Sequence, residues 1–244
     1  MSTDELTQPA GPHVDPLTIL RRGEIEVIGR MPWSSNATFL VNVHDGDDSA
    51  RAIYKPHRGE RPLWDFPNGL FKREVGAFLL SDLTGLDLIP PTVLREEGPF
   101  DEGSLQWFIE ADFAQHYFTL YEQGTELHDQ FRAMAAFDIV ANNTDRKSGH
   151  CLLDNDGRIW GIDNGLCFAA EFKLRTVIWE FGGEPVPEPV LDAIRPLTDS
   201  VPVQIAALLD ADEVDALQER ATGLVDQGVF PIDGTGRRYP WPLV

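Results

Sequence analysis

The segment from Asp138 to Phe168 constrains this chain more than any other. An apolar run with helical spacing enters a polar knot, Asn142-Asn143-Thr144-Asp145-Arg146-Lys147. A short strand follows at Cys151-Leu152-Leu153, then the turn Asp154-Asn155-Asp156-Gly157. A second strand, Ile159 to Ile162, delivers Asp163 into Asn164-Gly165. Two carboxylates, Asp145 and Asp163, are therefore expected at the two ends of a small hairpin. Polar residues clustered at strand ends are poor core material, because each needs a partner or water once buried. They suit a site that binds a divalent cation and moves a proton.

The chain before this segment is rich in strand signals. Glu24 to Gly29 alternates polar and apolar residues, as a half-buried strand does. A polar loop, Trp33-Ser34-Ser35-Asn36, separates it from a second strand, Ala37 to Val43. Arg51 to Lys55 forms a third, stopped by Pro56, so the three make an antiparallel meander. The irregular stretch His57 to Gly69 reads as a loop pinned by Trp64 and Phe66. Phe71 to Leu83 has the spacing of a helix, ended by Gly85. Leu88 to Leu94 and Ser104 to Glu110 read as two more strands. From Ala111 the pattern turns to helices and loops: a helix over His128 to Ala141, a short one within Lys173 to Phe181, and amphipathic helices at Val190 to Ile194, Val203 to Leu209 and Val214 to Leu224. The expected organisation is a disordered lead over residues 1–15, a β-rich lobe with one helix over 16–111, and a mainly helical lobe over 112–244 that carries the hairpin.

Charge narrows the partners. The 244 residues carry a formal net charge of −20, with basic residues partly segregated into the first third. Such a chain repels phosphate backbones and anionic membranes, which argues against nucleic acid as a partner. No apolar run is long enough for stable membrane insertion, and the N-terminus lacks the pattern of a signal peptide, so a cytoplasmic protein is expected. Cys151 and Cys167 match no zinc spacing and read as buried free thiols.

Taken in order, the chain has strand, polar loop, strand, strand ending in Lys55 (Ala-Ile-Tyr-Lys-Pro), helix carrying Glu74 (Phe-Lys-Arg-Glu-Val), two strands, and a helical lobe with an Asp145 loop and a second Asp163 (Ile-Asp-Asn-Gly). This order resembles the protein-kinase-like fold of phosphatidylinositol 3- and 4-kinases and HipA-type kinases, and the chain looks like a member of an actinobacterial family of small phosphatidylinositol 3-/4-kinase-like proteins. The resemblance covers Arg21 to Phe168. It implies an α+β, two-lobed fold, with ATP and Mg²⁺ (or Mn²⁺) as cofactors. Lys55, fixed by Glu74, would contact the α/β-phosphates, and Asp145 would be the catalytic aspartate. Lys147 would reach the γ-phosphate, and Asp163 would hold the metal. His150 stands where the kinase loop has a metal-binding Asn and would be the second metal ligand, with Asn142 or Asn143 as candidates to help. Ser34, Ser35 and Asn36 would replace the glycine-rich loop over the phosphates. Ile109, Glu110 and Ala111 would face adenine through their backbone, with Ile53 and Ile162 around the base.

The implied function is transfer of the ATP γ-phosphate to a hydroxyl of a soluble small molecule, a protein or an inositol lipid. The high negative charge favours a soluble or protein acceptor. Arg58 and Arg61, beside the expected phosphate site, are candidate acceptor or phosphate contacts. The alternatives are a nucleotide-binding pseudokinase acting as an interaction module, to which His150 and the missing loop glycines point, and nucleotidyl transfer on the same fold.

Overall fold

The structure, a computed structural model, describes residues 15–32 and 36–244. Residues 1–14 of the expected lead, and Trp33, Ser34 and Ser35 of the polar loop, lie outside the described residues. Asp15 does not belong to that lead. It caps α1 (Pro16–Arg22), its carboxylate accepting from the main-chain N–H groups of Leu17 and Thr18.

The meander forms as its alternation predicts. Strands β1 (Glu24–Arg30), β2 (Phe39–Asp45) and β3 (Asp48–Pro56) pair antiparallel in sequence, β2 and β3 turning tightly at Gly46, whose φ is +65°. Helix α2 (Leu70–Leu83) follows, then β4 (Thr92–Arg95) and β5 (Gly103–Trp107). Among the described residues the sheet has the order β1-β2-β3-β5-β4, antiparallel throughout. Its core unites Val41, Val43, Ala52, Tyr54 and Leu105 with Ile19 of α1. Side chains alternate along β3, so Ile53 and Lys55 leave on the opposite face from Ala52 and Tyr54.

Beyond β5 lie α3 (Tyr117–Glu122) and α4 (His128–Ala141), the hairpin β6 (Cys151–Leu153) with β7 (Ile159–Gly161), and α5 (Glu188–Ile194), α6 (Pro196–Asp199), α7 (Val203–Ala206) and α8 (Ala211–Gln227). The largest core cluster gathers Phe131, Met134 and Phe137 of α4 with Leu217 and Ala221 of α8, Cys151, Ile159 and Cys167. Both cysteines are buried and free. The architecture is α+β and two-lobed, an antiparallel sheet with two helices followed by a mainly helical part carrying a small hairpin. No helix among the described residues is long and apolar enough to cross a membrane.

Several expectations need correction. Two helices, α1 and α2, pack with the sheet rather than one. Strand β4 starts only at Thr92, because Pro90 and Pro91 lack the N–H groups a ladder needs. Strand β5 ends at Trp107 rather than Glu110. Trp64 pins nothing, being 95% exposed, whereas Phe66 is buried. No helix forms between Lys173 and Phe181. There the main chain bonds across to the loop after α4, Arg175 N–H donating to Asn143 O at 2.9 Å and Arg146 N–H to Arg175 O at 3.1 Å. Those long-range partners replace the local ones a helix would use.

Candidate active site

Lys55 occupies the end of β3 on the face away from the sheet's core. Its ammonium makes a close ion pair with Glu74 of α2 and donates to Asp163 Oδ1 at 2.8 Å. Burial opposes the charge on Lys55, but Asp163 and Glu74 outweigh it and hold its pKa above the ordinary ammonium range. Glu74 is buried, and its second oxygen accepts the main-chain N–H of Asn164 at 3.0 Å. One carboxylate therefore fixes both the lysine and the backbone just after Asp163.

Asp163 follows β7 with a left-handed backbone, φ +58°, which a short polar side chain tolerates better than most. Lys55 holds its carboxyl well below the usual carboxylate range, although burial works the other way. Asp145 lies in the loop after α4, where its N–H donates to Asn143 Oδ1 at 3.0 Å. Burial raises its pKa, and the hydrogen bond from Lys147, whose Nζ lies 3.0 Å from Asp145 Oδ2, offsets part of the rise. Asp145, Asp163, Lys55 and Glu74 line one cavity of about 300 Å³, with Arg61 and Asn36 at its wall. A second, apolar cavity of about 230 Å³ opens between Ile53, Ile109, Phe113, Leu152 and Ile162. The two cavities share Lys55 and Asp163. A flat apolar group in the second would thus lead directly to an anionic group in the first.

The remaining residues singled out in the sequence are placed less uniformly. Asn36 Oδ1 accepts the main-chain N–H of Arg61 at 3.0 Å, joining the polar loop to the loop after β3. Arg58 is exposed and lines neither cavity. The Glu110 side chain pairs with Arg51, and Ala111 makes an isolated bridge to Asp154. Neither Asn142 nor Asn143 is available to a metal. Asn142 is buried between the carbonyls of Ala169 and Glu171 and the N–H of Lys173. Asn143 is spent on Asp138 and on Asp145 N–H.

No protein-family profile matches the chain. It is 37% identical over 265 residues to Protein Rv2133c of Mycobacterium tuberculosis (strain ATCC 25618 / H37Rv), a match spanning 93% of this chain and 95% of that protein. The chain belongs to the family of Protein Rv2133c. Among solved structures, the proinflammatory kinase CtkA of Helicobacter pylori is similar with a TM-score of 0.49 and 12% identity, over 86% of this chain and 94% of that one.

In this member of the Rv2133c family, the donor set suits Mg²⁺. That ion is usually bound through one or two carboxylates, completed by water and phosphate oxygens. Asp163 and Asp145 supply two hard oxygens on one cavity, and Asp163 is 53% exposed. His150 fits less well. Burial pushes its pKa down to about 4, so the ring is neutral near pH 7. Its Nδ1 accepts from Lys147 N–H at 3.4 Å, which leaves the proton on Nε2, 3.5 Å from Asp163 Oδ2. In that tautomer Nε2 carries the proton and offers no lone pair to a metal.

Sequence reasoning missed the residue that holds the site together. Arg146 is fully buried and pairs with buried Asp138 of α4 at 3.0 Å. It also donates to Ile162 O at 2.9 Å and to Asn164 Oδ1 at 2.7 Å. It thereby joins α4, the Asp145 loop and the end of β7. Asp138 on the apolar face of a helix was the available signal, since a buried carboxylate demands a buried cation or donors.

Proposed function

We propose that the protein is an ATP-dependent phosphotransferase of the phosphatidylinositol-kinase-like kind, acting on a hydroxyl group. One observation carries this reading: Lys55, held between Glu74 and Asp163, stands where an apolar slot meets a polar cavity that also contains Asp145. Adenine would lie in the slot between Ile53 and Ile162, along the main chain of Ile109 to Ala111, and the phosphates at the junction. Lys55 would take an α/β-phosphate oxygen, with Glu74 keeping it charged and aimed. Asp163 would hold Mg²⁺, which supplies charge neutralisation on the β- and γ-phosphates. Asp145 would accept the acceptor's hydroxyl proton as that oxygen bonds to the γ-phosphorus and the bond to ADP breaks. Burial raises its pKa, which makes it a stronger proton acceptor than an exposed carboxylate. Lys147 would pass from Asp145 to the γ-phosphate, and Ser34, Ser35, Asn36 and Arg61 would cover the phosphates. A lobe boundary near residue 111 completes the reading.

The test is turnover of radiolabelled ATP with sugar, lipid and protein acceptors, beside Asp145→Asn. Removing a general base is expected to slow transfer by about 10²-fold or more. Wild-type turnover no faster than that of the variant would refute the reading. A nucleotide-binding module without transfer is the second reading. It is favoured by the pairing of both carboxylates with lysines, Asp163 with Lys55 and Asp145 with Lys147. Nucleotidyl transfer would be recognised by AMP on the product in place of phosphate.

A further inference from the structure

A second polar cavity, of about 250 Å³, is lined by Phe172, Lys173, Leu174, Arg175, Arg237 and Arg238. Its charge runs against that of the molecule. The chain has 40 acidic residues and 20 basic ones, so two carboxylates exist for each cation. Yet among the described residues no carboxylate lies within ion-pair distance of the guanidinium groups of Arg175, Arg237 or Arg238. Lys173 is already engaged, its ammonium donating to Asp65 O at 2.9 Å with the Asp65 and Glu171 carboxylates at 3.5 and 3.7 Å. The nearest acid on the tail, Asp233, is occupied in holding the turn, accepting from Arg238 N–H at 3.1 Å and from Thr235. Like charges brought together repel unless an anion lies between them.

Specific bonds bring these arginines together. The Arg238 carbonyl accepts from Thr176 N–H at 3.1 Å and from the Trp179 indole at 3.0 Å, which ties the tail to the segment after Arg175. The Arg238 guanidinium rests over the Phe172 ring, 4.9 Å from its centre. Arg175 is bonded through its own N–H and carbonyl to Asn143 and Arg146, the two residues that bracket Asp145. Arg146 and Thr176 form a bridge and both turn inward to Asp138. Asp145 and Arg175, one residue earlier on each segment, are half-buried and exposed respectively.

We propose that this cavity binds a phosphate-bearing acceptor: the anionic group sits among Arg175, Arg237 and Arg238, and a hydroxyl of the same molecule is presented toward Asp145. The proposal rests on the phosphotransferase reading for the hydroxyl, but the anion site itself stands without it. The same chemistry is offered by a soluble phosphate ester and by a phosphorylated lipid headgroup.

The experiment titrates the full-length protein with inorganic pyrophosphate by calorimetry, in the absence of nucleotide. The comparison proteins are the triple variant Arg175→Gln, Arg237→Gln, Arg238→Gln, its Arg→Lys counterpart, and Lys55→Met. The glutamine variant is expected to bind about tenfold more weakly or worse, the scale of losing one charge-assisted hydrogen bond, and the lysine variant to recover part of the affinity. Lys55→Met is expected to bind within about twofold of wild type. Wild-type binding no tighter than that of the glutamine variant overturns the proposal, as does loss of binding in Lys55→Met, which would move the anion to the other cavity. Vesicles of phosphatidylcholine with phosphatidylinositol 4-phosphate separate the sources. Arginine-dependent capture of these vesicles assigns a lipid headgroup, and pyrophosphate binding without capture assigns a soluble ester. Arginine-dependent anion binding in a protein that never turns over ATP would retain the site and discard the phosphotransferase reading.

Discussion

Three lysine–carboxylate pairs and one arginine–carboxylate pair surround the candidate site, and burial separates their consequences. Arg146 and Asp138 are both fully buried. Removing either leaves an uncompensated charge in the interior, which costs about 3–5 kcal/mol. Arg146→Ala is therefore expected to lower the urea midpoint severely or to prevent folding. Lys147→Ala, at a partly exposed pair, is expected to change stability by no more than about 1 kcal/mol. Equal losses in the two variants would show that Arg146 is not the keystone. Thiol chemistry checks the same interior. Burial pushes the Cys151 thiol up to about 12 and raises Cys167 as well. Neither should react with a disulfide reagent at pH 8 until the protein is unfolded, when both should. Rapid labelling of the native protein would contradict the packing around the hairpin.

Elements depend on contacts that their own sequences do not announce. Helix α2 carries Arg73, which is buried, donates to Cys167 O at 2.6 Å and makes a close pair with Glu213 of α8. Glu213 also closes the capping box of α8, accepting from Asp210 N–H at 3.1 Å. Replacing Glu213 with Ala removes a buried partner and a cap together, and is expected to cost about 3–5 kcal/mol. Glu213→Gln retains hydrogen bonding and should cost clearly less, as urea unfolding would reveal. Glu213 lies just before the helix that the spacing marks over Val214 to Leu224, and the structure turns its carboxylate toward Arg73. The segment Lys173 to Phe181 carries a similar lesson. Its composition permits a helix, but its backbone is claimed by the Asp145 loop and the tail, partners far along the chain.

At the scale of the whole molecule, a nucleotide spanning the slot and the polar cavity would contact both the sheet and the hairpin. Binding to the folded state alone stabilises by about 2.7 kcal/mol when the ligand is at a hundredfold its Kd. A rise in Tm with Mg²⁺ and ATP, absent in Lys55→Met, is the expected outcome of thermal denaturation. A rise with ATP that ignores Mg²⁺ would favour the nucleotide-binding module over the phosphotransferase.

The sequence alone determined the strands of the meander, helices α2 and α4, the hairpin, and the order Lys55, Glu74, Asp145, Asp163. These are local or periodic signals, and short-range sterics and side-chain alternation suffice to generate them. Only the tertiary structure decided that Lys55 reaches Asp163, that Arg146 is buried on Asp138, that Asn142 is spent on backbone groups and Asn143 on Asp138 and a backbone N–H, and that Arg237 and Arg238 lie beside Arg175. Those facts follow from long-range pairing. A buried polar group takes whichever partner the fold delivers, and that partner's identity is not written in the residues next to it.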